Sequence, residues 1–147
     1  MGRNEIVRSV NSPPRFFRFN AEDSPTSQKK PIELHLDEYE ALRLADKLNY
    51  DHKDASRIMN ISRPTFTRLL NRARKKAADF LTDGGPLEIA GGRILFASNV
   101  YCCKTCHRPF QVEPGEAISC PRCNGNQVIK AQPSCQHDCR CCEESDA

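Results

Sequence analysis

The chain has 147 residues and a formal net charge of +3, and 38% of its residues are hydrophobic. This length allows one modest domain or two small ones, and the absence of tryptophan, with ten prolines against seven glycines, argues against one large core. The N-terminal sequence MGRNEIVRSV lacks the apolar centre of a signal peptide, and no apolar run is long enough to span a membrane.

Residues 1–30 are predicted to form a basic, proline-containing arm. Its cations alternate with prolines and small polar residues; they are Arg3, Arg8, Arg15, Arg18, Lys29 and Lys30. Two interpretations stand. The favoured one is a leader whose phenylalanines, Phe16, Phe17 and Phe19, dock on the following domain. The alternative is an arm that contacts the DNA backbone or minor groove.

Residues 31–98 are predicted to form a helical domain with short flanking strands. Alternating apolar residues predict a strand over 32–36, and Asp37 with Glu40 three residues later predicts a capped first helix that runs to Leu48. A second helix is predicted over residues 52–59, followed by a tight turn in which Asn60 takes a left-handed backbone. Further strands are expected at 87–89 and 93–97, the first of them pairing with 32–36.

The third helix carries the clearest pattern in the chain. Ser62 is the predicted N-cap, Pro64 lies in the first turn, and an apolar stripe that includes Phe66 and Leu69 continues to Leu81. Residues 62–76 contain six Lys or Arg and no acid. A short helix, a turn and a longer capped helix with a basic outer face are typical of a helix-turn-helix that reads the DNA major groove.

Individual roles follow from side-chain chemistry. Arg63 and Arg68 suit guanine edges and Asn71 suits adenine, with Pro64 and Thr67 on the same outward face. The residues predicted to contact phosphates are Ser62, Arg72, Arg74, Lys75 and Lys76. About five such contacts predict a log–log salt slope near −4 to −5. The competing interpretation is a solvated basic helix in a helical bundle.

Three segments carry a family resemblance: LDEYEALRLADKL, ASRIMNISRPTFTRLLNRARKKAADFL and GGPLEIAGG. Over about residues 1–95 the chain resembles the bacterial and archaeal proteins called domain of unknown function 134, or uncharacterised protein family 0251. The helix-turn-helix is also similar to region four of sigma factors. This resemblance implies that Arg63, Thr67 and Arg68 face DNA. The chain departs from the family pattern at Asn60, where glycine is usual, and at Ser56, where alanine is common.

Residues 99–132 are predicted to form a zinc ribbon. Cys103, Cys106, Cys120 and Cys123 form a C-x2-C-x13-C-x2-C array that suits four-thiolate coordination of one structural Zn²⁺. Iron is the competing metal, because spacing does not separate the two. Cys102 is an alternative first ligand, although Cys103 gives the better knuckle.

Residues 133–147 form an acidic, cysteine-rich tail. Five soft ligands lie close together there, Cys135, His137, Cys139, Cys141 and Cys142. They suit a second metal or a redox response, although a tail with adventitious thiols is the favoured interpretation. Nine cysteines, an odd number without an export signal, predict thiolates in a reducing compartment and therefore a cytoplasmic protein.

Together these patterns predict a mainly α fold: a helix-turn-helix domain with short flanking strands, then a zinc ribbon and a cysteine-rich tail. The predicted function is sequence-specific DNA binding in transcription regulation, without enzymatic activity. Double-stranded DNA is the expected partner, with RNA polymerase and a second copy of the chain as further candidates. The alternatives are a metal or redox sensor that uses the C-terminal cysteines, and a small iron-binding electron carrier. RNA binding through the ribbon is disfavoured, because only Tyr101 and Phe110 offer rings for base stacking.

Overall fold

The structure, a computed structural model, describes residues 7–23, 30–97 and 99–131. Three strands come first: β1 (Arg8–Val10), β2 (Arg18–Asn20) and β3 (Ile32–Leu34). The helices follow, with α1 (Leu36–Leu42) running into a π-helical turn (Arg43–Lys47), then α2 (His52–Ile58) and α3 (Arg63–Asp83). The remaining strands are β4 (Pro86–Ile89), β5 (Ile94–Phe96), β6 (Val100–Cys103), β7 (Pro109–Gln111) and β8 (Val128–Lys130).

The prediction of a mainly α fold is wrong. Within the described ranges, eight short strands form three sheets around the helices, so the fold is mixed α and β. Most of these strands have three residues, which is too short for an alternating pattern to stand out in the sequence. Their partners are also distant in the chain, since β1 pairs with β5 and β2 with β4.

The predicted pairing of residues 87–89 with 32–36 is confirmed. Strand β4 lies at the centre of a three-stranded sheet, parallel to β3 and antiparallel to β2. Ile32 is opposite Leu87 and Leu34 is opposite Ile89. This sheet therefore places β3, which leads into α1, directly beside β4, the strand that follows α3.

The first helix begins earlier than predicted. His35, and not Asp37, is the N-cap of α1, and its backbone N–H donates to the carboxylate of Glu38 three residues later at 2.9 Å. Asp37 lies in the first turn and accepts a 2.8 Å hydrogen bond from Arg8 Nη1. The helix starts here because the fully buried Leu36 follows β3 almost directly, leaving no room for a longer loop.

Two apolar clusters share α3. Its first half packs with α1, the π-helical turn and α2 around Ala41, Leu44, Ala55, Met59, Phe66, Leu69 and Leu70. Farther along, Ala73 joins a second cluster with residues of the sheets, including Val100 and Cys102 of β6. The ribbon strand β6 therefore packs into the same core as the helices.

The arm contributes to this second cluster through only one of the three phenylalanines that were predicted to dock on the following domain. Phe17 is buried there, whereas Phe16 and Phe19 keep 66% and 41% of their surface exposed. Arg3 and Lys29 lie outside the described residues. Among the described helices, none is both long and apolar enough to cross a membrane.

Candidate nucleic-acid interface and metal centre

Helices α2 and α3 meet through the tight turn that the sequence predicts. Asn60 has a φ of 57°, in the left-handed region, and the N–H of Ile61 donates to the carbonyl of Ser56 at 3.0 Å. Ala55 and Ser56 are buried where the helices pack together. Small side chains at this point let α2 approach α3 closely, and Ile61 packs against the helical cluster beneath the turn.

The first turns of α3 present an exposed polar face. The Ser62 hydroxyl accepts a hydrogen bond from the N–H of Thr65 at 3.3 Å and so caps the helix. Phe66 and Leu69 are fully buried, whereas Arg63, Pro64, Arg68 and Asn71 are exposed. The Arg68 guanidinium donates to the carbonyl of Pro64 at 3.3 Å and lies along the helix surface. Both arginines assigned to base reading are therefore accessible from solvent.

Thr67 differs from its neighbours because it is only half-exposed. Its hydroxyl lies 2.9 Å from Nδ1 of His52, whose ring contacts Phe66 edge-on at a centroid distance of 5.4 Å. His52, the first residue of α2, therefore bridges α2 and α3. This contact depends on the packing of the two helices.

The second half of α3 carries cations that are held by acids of the same chain. Arg74 makes two hydrogen bonds to the carboxylate of Asp46, at 2.7 and 3.1 Å, and these bonds lower the pKa of Asp46. Lys75 pairs with Asp79 at 2.7 Å. The predicted phosphate-binding role of Arg74 was based on the sequence alone, which does not show its partner in the π-helical turn.

Lys76 is the least exposed of these cations. Its Nζ lies 2.8 and 3.1 Å from the two carboxylate oxygens of Glu38 and also donates to the carbonyl of Glu33. Glu38 is buried, and Arg72 Nε lies 3.8 Å from it. Lys76 thus neutralises a buried acid of α1, a structural role that the sequence did not suggest.

Two exposed cations of α2, Lys53 and Arg57, were missed as candidates. They lie on the helix that precedes the turn, the element that crosses the DNA backbone in helix-turn-helix proteins. Their spacing of one helical turn was available in the sequence.

Four cysteines converge in the ribbon as the spacing predicts. The Sγ atoms of Cys103, Cys106, Cys120 and Cys123 all lie within 4.8 Å of one another. Two of the separations, Cys103–Cys123 and Cys106–Cys120, are 3.6 Å. Tetrahedral coordination with metal–sulfur bonds of about 2.3 Å requires sulfur–sulfur distances of about 3.8 Å. The group therefore has the dimensions of a four-thiolate metal site.

The two knuckles have the same backbone form. His107, directly after Cys106, and Asn124, directly after Cys123, both have left-handed φ angles, of 58° and 56°. Each donates its N–H to the carbonyl of the first cysteine of its knuckle, at 2.9 Å in both cases. A Cβ on Gly125 would lie 3.2 Å from Cys123 Sγ, so only glycine leaves the second knuckle undisturbed.

Hydrogen bonds lower the pKa of one of the four thiols. Burial acts to raise the pKa of Cys103, but hydrogen bonds from the N–H groups of Cys106 and Thr105 outweigh it and lower the pKa to about 7. Burial and the neighbouring thiols raise the pKa of Cys106 to about 12. A positive ion at the centre would stabilise all four thiolates together.

Cys102 does not join this group. It is buried in the cluster shared with the helices, and Cys103, the next residue on the strand, is the one that faces the other thiols. The tail ligands Cys135, His137, Cys139, Cys141 and Cys142 lie outside the described residues.

Comparison with known proteins places the chain in a family. The model of "Protein of unknown function DUF134" matches residues 1–96, which include the whole helix-turn-helix. The chain belongs to this family. A UPF0251 protein of Chloroherpeton thalassium is 41% identical over 129 residues, which cover 87% of this chain and 85% of the relative. A UPF0251 protein of Moorella thermoacetica is 33% identical over 133 residues, covering 90% and 89%.

Similarity to the UPF0251 proteins extends past the part that the DUF134 model matches. The Chloroherpeton thalassium match covers 87% of the chain, more than residues 1–96 provide, so it continues into the ribbon. No solved structure matches the chain. The family-model match and the UPF0251 relatives confirm the family resemblance seen in the sequence.

Proposed function

We propose that this DUF134 protein binds double-stranded DNA at specific sequences and acts in transcription regulation. The observation that carries the proposal is the capped start of α3, where Arg63, Arg68 and Asn71 are exposed on one side while Phe66 and Leu69 are buried on the other. A helix of this kind, preceded by a short helix and a tight turn, fits the major groove.

The charge of this surface also supports the proposal of DNA binding. The first turn of α3 contains no acid, and the helix dipole adds a partial positive charge at the helix start. Lys53 and Arg57 of α2 are exposed beside the turn and suit phosphate contacts, which position a protein on the duplex. We therefore assign phosphate binding to the turn and to α2, in place of Arg74 and Lys76.

We propose one structural zinc ion in the ribbon. Four thiolates complete a tetrahedral coordination sphere, so no position is left for a substrate or an activated water. The buried acids of α1, Asp37, Glu38 and Glu40, each accept a hydrogen bond from a cation, Arg8, Lys76 and Arg43 respectively. Since these carboxylates are used in structure, we propose that the protein acts by occupying DNA and not by catalysis.

Selection of bound sequences from random duplex DNA tests the function. Wild type, Arg63→Ala and Arg68→Ala are compared, with Lys130→Ala as a matched control that removes one exposed cation from β8. Each arginine variant should lose preference at one position of the selected site, by about 1–3 kcal/mol measured on single-base variants. The control should keep the full preference. Equal weakening on every sequence would contradict the base-reading roles.

Metal analysis of the purified protein tests the centre. We expect one zinc per chain in a colourless protein, because zinc–thiolate sites do not absorb visible light, whereas iron bound by four cysteines does. One iron per chain with visible absorption would favour the electron-carrier alternative.

A further inference from the structure

A basic cleft lies between the arm, α1 and the ribbon. Its volume is about 890 Å³, within the range of about 300–1,000 Å³ typical of small-molecule sites. Residues 12–18 of the arm form one wall, and Tyr39, Arg43 and Lys47 form the second. The third wall comes from the ribbon, at residues 108–111 and around Arg122 in the second knuckle.

The walls of this cleft carry strongly unequal charge. Among its lining residues are six cations, Arg15, Arg18, Arg43, Lys47, Arg108 and Arg122, against one acid, Glu113. Arg43 is neutralised by Glu40, and Arg18 lies 3.7 Å from Glu88. The lining of the cleft therefore keeps a net positive charge after these two ion pairs are taken into account. Concave surfaces of one charge sign concentrate ligands of the opposite sign.

Arginine dominates this cation set, with five of the six. Guanidinium groups bind phosphate through two parallel hydrogen bonds, which a lysine does not offer. Arg15 of the arm and Arg122 of the ribbon both line the cleft, and both are exposed. Two exposed guanidinium groups on one cleft suit the binding of a phosphate group.

The cleft also offers apolar surface beside these cations. Phe16 keeps 66% of its surface exposed, and Pro13, Leu48 and Phe110 contribute further apolar atoms. Burial raises the pKa of Tyr39, so its hydroxyl stays protonated and able to donate. An exposed ring next to arginines suits a ligand that joins a planar ring to a phosphate.

None of the described residues that line this cleft belongs to α2 or α3. Tyr39 and Arg43, one helical turn apart, line the cleft, whereas Glu38 points to α3 and holds Lys76. A duplex on the start of α3 therefore does not explain the cations of the cleft.

From these observations we propose that the cleft binds a small phosphorylated molecule with a planar ring, of the nucleotide class. We assign the phosphate to Arg15 and Arg122 and the ring to the exposed Phe16. The proposal concerns a second site and does not rest on the DNA-binding function.

Calorimetric titration of the full-length, metal-loaded protein tests this site, with ATP, pyrophosphate and adenosine as probes. We expect one ATP per chain, weaker binding of pyrophosphate and weaker binding still of adenosine. Arg15→Glu and Arg122→Glu should each lower ATP affinity by about tenfold or more, because a charged hydrogen bond is replaced by repulsion. Lys130→Glu is the matched control, since it makes the same charge change outside the cleft and should alter affinity less than threefold.

Thermal unfolding of each variant without ligand verifies that the fold is kept, and the exposed position of Arg15 and Arg122 makes folding failure of both unexpected. Absence of ATP binding at millimolar concentration would overturn the proposal. Equal losses in the Arg122→Glu and Lys130→Glu variants would also overturn it, because they would show attraction to net charge alone. Equal affinity for ATP and pyrophosphate would refute the role of the apolar wall.

Discussion

Removing the charge of either of two adjacent lysines of α3 is predicted to change the free energy of unfolding by very different amounts. Lys76 pairs with Glu38, whose side chain is only 3% exposed, and Lys75 pairs with the half-exposed Asp79. Replacing each in turn by methionine keeps the helix propensity and most of the side-chain volume. The environment of the acid partner is therefore the main difference between the two experiments.

The magnitude follows from what each change leaves behind. Removing one partner of a buried ion pair costs about 3–5 kcal/mol. Lys76 keeps 29% of its side chain exposed, and Arg72 Nε remains 3.8 Å from Glu38, so part of the carboxylate's neutralisation survives. We expect Lys76→Met to lower the free energy of unfolding by about 2–3 kcal/mol. Lys75→Met should not lower it measurably, because Lys75 and its partner are in contact with solvent.

Urea unfolding of the metal-loaded chain measures both values, and a double-mutant cycle isolates the pair. Glu38→Gln removes the buried charge, so Lys76→Met should cost much less in that background than in wild type. Equal stability of the Lys75→Met and Lys76→Met variants would refute the reasoning. A coupling energy near zero in the cycle would refute it as well, since the loss would then come from packing of the lysine stem.

Three further predictions concern the cap, the metal knuckle and the charge of α3. Ser62→Ala should lower the free energy of unfolding by about 1 kcal/mol, because the N–H of Thr65 loses its acceptor; Thr82→Ala, near the other end of α3, is the control, and an equal loss in both would contradict a cap-specific effect. The Gly125→Ala variant should release metal to a competing chelator faster than wild type, because the added Cβ would lie 3.2 Å from Cys123 Sγ and 3.3 Å from Thr105 Oγ1. An unchanged release rate would show that the knuckle adapts to the added methyl group. Asp46→Asn should free Arg74 and steepen the log–log salt slope of DNA binding by about 0.9; an unchanged slope would show that Arg74 does not reach the duplex.

The helix-turn-helix was predictable because each of its signals is local. The serine cap, the left-handed Asn60 and the stripe through Phe66 and Leu69 all lie within one short stretch of chain. The knuckles were predictable for a related reason, since the metal fixes the spacing of Cys103–Cys106 and Cys120–Cys123 within a few residues. Chemistry that acts over short sequence separations leaves a pattern that can be read directly.

The sheets and the start of α1 were not predictable in this way. A strand such as Arg8–Val10 has three residues, and its partner Ile94–Phe96 lies far along the chain. Both His35 and Asp37 have an acid three residues later, so the capping pattern alone allowed two starting points for the helix. The choice depends on the burial of Leu36, which only the folded chain determines.

The same limit explains the divided roles of the cations in α3. In the sequence, Arg63, Arg68, Arg74 and Lys76 form one basic run without an acid. In the fold, Asp46 and Glu38 approach the second half of the helix and neutralise it, while the exposed first half keeps its charge. Neutralised cations would release few counterions from DNA, so the number of charges along the helix overestimates the phosphate contacts of the proposed DNA complex. Packing of α1 and the π-helical turn against α3 therefore concentrates the positive field at the capped end, where the exposed Arg63, Arg68 and Asn71 lie.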